Sequence, residues 1–68
     1  MTVQEILNIK AGETLTVECE TPLAAKSGQS RVSYVKKFRR DSMPEDVADY
    51  TTTIVGSVLT ISAKKKED

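Results

Sequence analysis

TPLAAKSGQSRVSYVKKFRRD, residues 21–41, is the only long segment of the chain with helical periodicity. It starts with Thr21-Pro22, a capping threonine followed by proline at the first helical position, which is a typical helix start. The segment contains six of the ten basic residues of the chain and no acidic residue before Asp41. It therefore predicts a basic helix around which the remaining elements are arranged.

The middle of this stretch allows two interpretations, because a glycine inside a helix costs about 1 kcal/mol relative to alanine. In the first, one helix runs from Pro22 to Asp41, and Gly28 lets it approach the sheet closely. In the second, a short helix over 22–26 turns at Ser27-Gly28 and a second helix follows. The sequence alone leaves both open.

From residue 29 onward the apolar and basic side chains fall on opposite arcs of the helix. Val32, Val35 and Phe38 share the apolar arc with Tyr34, and we expect these aromatic rings in the core rather than on the surface. The opposite arc consists of hydroxyl and basic side chains, namely Ser30, Ser33, Lys36, Lys37 and Arg40. Arg31 and Arg39 lie within or beside the apolar arc, and their aliphatic stems extend along it to reach water.

Two β-rich runs follow the helix, at 50–55 and 58–63, separated by Gly56-Ser57. Gly-X is the typical loop of a type II′ hairpin. A two-residue loop pairs Val55 with Val58 and places Tyr50, Thr52, Ile54, Leu59, Ile61 and Ala63 on one face. A one-residue slip would destroy this match, so the sequence predicts the register as well as the hairpin.

Two further elements precede the basic helix. Thr2 and Glu5 have the spacing of a capping box, which predicts a short helix over 2–10 that is closed by Ala11-Gly12. Residues 13–21 then alternate, with Leu15, Val17 and Cys19 on one face, as expected of a half-buried strand.

Together these elements predict a small single α+β domain over residues 1–63, with a charged flexible tail at 64–68. The expected architecture is a three-stranded antiparallel sheet that the basic helix covers on one face, with the N-terminal helix at its edge. The predicted core consists of Leu15, Val17, Cys19, Val32, Val35, Phe38, Ile54, Leu59 and Ile61.

Composition narrows the function classes. The 68 residues leave little room for a deep cleft beside a packed core, and without histidine no Ser-His-Asp or Cys-His arrangement exists. The single cysteine excludes an intramolecular disulfide, and we expect neither a metal nor another cofactor. The sequence shows no signal peptide and no membrane-spanning run, and we expect a non-catalytic cytoplasmic protein.

Net charge is zero, but its distribution is uneven, because acidic segments flank the basic helix on both sides. We expect the basic face to bind duplex DNA, with cations on phosphates and serines adding hydrogen bonds. The expected binding residues are Ser30, Arg31, Ser33, Lys36, Lys37 and Arg40. The alternative is a protein-interaction module or homodimer, in which acidic segments meet the basic helix or sheet edges pair.

Residues 23–30, LAAKSGQS, resemble the turn of a helix-turn-helix, where an L-A-x-x-x-G-x-S run precedes the recognition helix. With the flanking elements, the order of helices and strands resembles that of winged-helix domains, which implies DNA binding in the major groove. Gln29 departs from this pattern, since an apolar residue is usual there. A looser resemblance, carried by Ser30-Arg31, Tyr34, Lys37 and the 50–61 hairpin, is to small uncharacterised proteins of bacterial prophages and conjugative elements.

Overall fold

The computed structural model describes residues 2–66, which form an α+β domain with three strands and two α-helices. In chain order the elements are α1 (Val3–Leu7), β1 (Thr14–Glu18), α2 (Pro22–Phe38), a short 3-10 helix (Arg40–Ser42), β2 (Val47–Val55) and β3 (Val58–Lys65). The predicted fold class is confirmed.

The three strands form one antiparallel sheet with the spatial order β1-β3-β2, so the last strand lies in the centre. In the hairpin, Val55 pairs with Val58, Ile54 with Leu59 and Tyr50 with Ala63, which confirms the predicted register. Gly56 has a φ of 63°, and no non-glycine residue between positions 2 and 66 has a positive φ. A positive φ at the first loop residue alone is the pattern of a type II′ turn.

Helix α2 is continuous from Pro22 to Phe38, so the interpretation with a turn at Ser27-Gly28 is wrong. The Thr21 hydroxyl accepts a hydrogen bond from the Ala24 amide at 3.1 Å and caps the N-terminus as predicted. Gly28 is buried in α2, as expected of a residue that permits close packing. The helix ends at Phe38 rather than Asp41, because Arg39 leaves the helical region with a φ of −123° and a ψ of 25°.

The N-terminal elements are shorter than predicted. Helix α1 ends at Leu7, and the Thr2 hydroxyl caps it by accepting the Glu5 amide at 3.2 Å. The Glu5 carboxylate lies 3.4 Å from the Thr2 hydroxyl, so the contact between these side chains replaces the reciprocal bond of a full capping box. Gly12 has a φ of 84° in the turn that leads into β1, which starts one residue later than predicted and ends at Glu18.

The core lies between the sheet and the two helices. Val32, Val35, Leu59 and Ile61 are buried as predicted, whereas Leu15, Val17, Cys19 and Ile54 are half-buried at its margin. Phe38 was expected in the core, and this prediction is wrong because the side chain is 70% exposed. The buried core also contains residues outside the predicted set, namely Ile6, Ile9, Ala25, Val47, Tyr50 and Ala63.

Strand β3 continues through Lys65, and the Lys66 amide donates to the Asp46 carbonyl at 2.9 Å. Lys64 and Lys65 therefore belong to the sheet rather than to the predicted tail, because they pair with Asp49 and Val47 of β2. The rest of that tail, residues 67 and 68, lies outside the described residues, as does Met1.

Candidate functional site

The outer face of α2, turned away from the sheet, combines basic, hydroxyl and aromatic side chains. Helix α2 contains no aspartate or glutamate, and Lys26, Lys37 and Arg31 are exposed on it. Tyr34 and Phe38, one helical turn apart, form an aromatic pair on the same side, with ring centroids 5.3 Å apart and planes inclined at 42°. Phe38 is 70% and Tyr34 46% exposed, so both rings are accessible from solvent.

Small residues determine which side of α2 meets the sheet. The buried positions are Ala25, Gly28, Val32 and Val35, which follow one another at helical spacing. These four residues are small or β-branched, so the buried stripe is narrow, and the larger side chains of α2 lie outside it. Tyr34 and Phe38 are therefore excluded from the core, and the prediction that both rings are buried is wrong.

Two of the predicted binding residues are instead engaged with β2. The Lys36 ammonium donates to the Tyr50 carbonyl at 3.1 Å and forms an ion pair with Asp49 at 3.3 Å. The Arg40 guanidinium donates to the Ala48 carbonyl at 3.2 Å. These carbonyls belong to the edge of β2, so both cations satisfy strand groups that would otherwise face solvent.

The six predicted binding residues therefore divide into two sets. Four of them, Ser30, Arg31, Ser33 and Lys37, lie on α2 and are exposed. Lys36 and Arg40 lie towards the edge of β2, as their hydrogen bonds show.

Sequence reasoning missed three residues of the outer face, Lys26, Tyr34 and Phe38. Lys26 precedes Gly28, whereas all the predicted binding residues follow that glycine. If α2 is drawn as one helix, Lys26 falls on the same side as Ser30 and Lys37, at 3.6 residues per turn. No local signal in the sequence indicates that Tyr34 and Phe38 are exposed, because their helical spacing also fits a buried arc wide enough to include both rings.

Elsewhere, a groove of about 370 Å³ lies between β1 and α2, lined by Val17, Cys19, Gly28 and Arg31 among others. Within residues 2–66, no group of three or more cysteine, aspartate or glutamate side chains could hold a metal ion. The same part of the chain has no helix both long and apolar enough to cross a membrane.

Comparison of the chain with protein-family models, with curated proteins and with solved structures finds no match. The resemblance to winged-helix domains therefore stays a hypothesis from the sequence. Because α2 is continuous through Ser27-Gly28, DNA binding cannot be argued from a helix-turn-helix turn at these residues. Within residues 2–66, the outer face of α2 is therefore the candidate functional site.

Proposed function

We propose that this protein binds nucleic acid without catalysis, through the outer face of α2, and that its preferred ligand contains unpaired bases. The observation that carries the proposal is the exposed Tyr34–Phe38 pair on a helix that has cations and no acidic residue. Aromatic rings give bases a stacking surface, and nearby cations attract the phosphates.

Charge on this face favours an anionic partner. Lys26, Arg31 and Lys37 extend along about 17 Å of helix, at 1.5 Å per residue. No carboxylate of α2 competes with an incoming phosphate for Lys26 and Lys37. The exposed Ser30 and Ser33 hydroxyls supply hydrogen bonds of the kind that proteins make to phosphate oxygens.

The aromatic pair distinguishes between the two forms of nucleic acid. In a duplex the bases are already stacked on one another, so exposed rings gain contact only by unstacking them, which costs a few kcal/mol per step. A single strand offers free base faces, and each stacked base contributes about 1–3 kcal/mol. We therefore favour a single strand over the duplex DNA expected from the sequence.

The test is fluorescence anisotropy with labelled single-stranded and duplex oligonucleotides of the same sequence, at about 50 and 200 mM salt. If the three cations each contact one phosphate, single-strand affinity should fall about 18-fold and duplex affinity about 40-fold between these concentrations. We expect tighter single-strand binding at both. Tighter duplex binding would contradict the proposed preference, and the absence of binding to either at low salt would refute the function.

Two pairs of variants locate the interface. Phe38→Ala should reduce single-strand affinity by about 5- to 150-fold, the equivalent of one stacked base. Val55→Ala is the control, since Val55 is 73% exposed on a strand and lies outside the proposed interface. Equal losses from both variants would count against α2 as the interface.

The charge test compares Lys26→Glu/Lys37→Glu with Lys64→Glu/Lys65→Glu. All four lysines are exposed, and both double variants change the net charge by the same amount. Only the first pair lies on α2, so it should lower affinity and flatten the salt dependence. Similar effects from both would indicate non-specific attraction to overall charge.

A further inference from the structure

The two edges of the sheet differ in how they are protected. On β2, Lys36 and Arg40 occupy the edge carbonyls of Tyr50 and Ala48, and the pairing with β3 shifts register between Val47 and Asp49. Side-chain cations and irregular pairing are two of the devices by which proteins prevent an edge strand from pairing with another chain. Edge β2 is therefore protected over its N-terminal half.

Edge β1 lacks these devices. Its sequence, TLTVE, contains neither proline nor lysine, and it pairs with β3 without a shift in register. The Glu13 carbonyl accepts a hydrogen bond from the Ala63 amide of β3, and the Cys19 amide donates to the Ser57 carbonyl in the loop just before β3. Because backbone groups alternate along a strand, those of Thr14, Thr16 and Glu18 point away from β3, towards the open edge.

The inner face of β1 is also incompletely covered. Helix α2 packs mainly against β2 and β3. Leu15 and Val17 are consequently only half-buried, and the groove beside Cys19 remains open between β1 and α2. An added strand at this edge would cover apolar surface as well as satisfy backbone groups.

We propose that a second copy of this chain pairs with β1 through β1, antiparallel, about a two-fold axis at Thr16, which gives a continuous six-stranded sheet. Thr14 then lies opposite Glu18 of the partner subunit, and Thr16 lies opposite Thr16 of the partner subunit. All three outward-facing residues fall in hydrogen-bonded pairs, which adds six backbone hydrogen bonds. The backbone groups that pair in this interface are separate from the outer face of α2, and Arg31 is the residue of the proposed binding face that also lines the groove beside β1.

Self-complementarity favours a second copy of the chain as the partner that pairs with the β1 edge. A two-fold axis places the same strand on both sides, and in this register threonine, not a second carboxylate, faces each Glu18. A dimer through the outer faces of α2 would instead bring Lys26 and Lys37 against the same cations, with no acidic residue on the helix to separate them. The β1 edge therefore pairs with itself without directly opposed like charges, while Glu13, Glu18 and Glu20 of each copy leave it acidic overall.

The test introduces a positive or a negative charge at residue 14. The dissociation constant of the dimer is then measured by sedimentation equilibrium. Thr14→Lys places a cation opposite Glu18 of the partner subunit and should tighten the dimer. Thr14→Glu places two carboxylates together and should weaken it. Each change occurs twice per dimer, so the expected shift is about 2- to 30-fold in each direction.

Thr53→Lys and Thr53→Glu are the matched controls, because Thr53 is an exposed threonine on β2 that pairs with Thr60 of β3. They should leave the dissociation constant unchanged, and circular dichroism should show that all four variants are folded. Thr14→Glu/Glu18→Lys should restore dimerisation, since it recreates an opposite-charge pair.

A wild-type chain that stays monomeric up to about 1 mM, far above typical homodimer dissociation constants, overturns the proposal. Shifts of the same sign from Thr14→Lys and Thr14→Glu, or equal shifts from the Thr53 variants, overturn this register. Opposite shifts at residue 14 with restoration by the double variant establish it.

Discussion

Substitution of Tyr50 measures how much one buried hydroxyl oxygen lowers the stability of the protein, separately from the contribution of the aromatic ring. The side chain is 0% exposed, and its hydroxyl has no hydrogen-bond partner within residues 2–66. A buried polar group without a partner costs about 1–3 kcal/mol. Tyr50→Phe removes only that oxygen, so after allowing for lost contacts we expect stability to rise by about 1 kcal/mol, or about 4–8 °C in Tm for a domain of this size.

The same residue predicts a pH dependence. Burial raises the pKa of Tyr50 above its ordinary value of 10.0, because the charged form is poorly solvated inside the protein. Above pH 10 the unfolded chain therefore loses this proton while the folded protein retains it, and stability falls as pH rises. The maximal slope for one group is about 1.4 kcal/mol per pH unit, and it continues until pH passes the raised pKa.

The assay is urea unfolding followed by circular dichroism at several pH values between about 8 and 11, which spans the pKa of an ordinary tyrosine. Tyr50→Phe should lose part of the alkaline decline that the wild type shows. Tyr34→Phe is the control, because Tyr34 is 46% exposed and its hydroxyl should contribute less than about 0.5 kcal/mol. Destabilisation by Tyr50→Phe, or an unchanged alkaline slope, would refute the assignment of an unsatisfied buried hydroxyl.

Three further predictions concern α2 and the hairpin. Val35→Ala should destabilise the protein by about 2 kcal/mol, because Val35 is fully buried, whereas Phe38→Ala should cost less than about 0.5 kcal/mol. Thermal unfolding of both variants is the measurement, and a larger loss of stability from Phe38→Ala would contradict the prediction. Lys36→Ala removes a carbonyl hydrogen bond and an ion pair, and it should cost about 1 kcal/mol and increase self-association at the β2 edge, measured by gel filtration at increasing concentration. Gly56→Ala forces alanine to a φ of 63° and should cost about 1–2 kcal/mol in urea unfolding; a neutral substitution would argue against the II′ turn.

The hairpin could be predicted from the sequence because several independent signals agree. The two-residue period, the Gly56-Ser57 loop and the match between Ile54 and Leu59 all require one register. The start of α2 could likewise be predicted from local sequence, because Thr21 caps the helix and Pro22 fits its first position. Where residues close together in the chain determine the local structure, the sequence pattern was sufficient to predict that structure.

The rotation of α2 on the sheet could not be predicted in this way. Hydrophobicity ranks Phe38 above Ala25 and Gly28, but the two small residues are buried and the Phe38 ring is exposed. Which side of α2 is buried depends on the side chains that the strands and α1 contribute to the core, such as Ile6 and Tyr50. The same rotation decided the candidate site: it exposed the aromatic pair and brought Lys36 to the edge of β2.

The central position of β3 has a consequence for biosynthesis. Both β1 and β2 hydrogen-bond to this strand, which is the last of the three in the chain. During translation β1, α2 and β2 therefore leave the ribosome before the strand that joins them, and the sheet closes only once residues up to Lys65 are free. A nascent chain stalled before that point would keep Leu15, Val17 and Ile54 accessible to chaperones, and a truncation within β3 should remove the whole sheet rather than one edge of it.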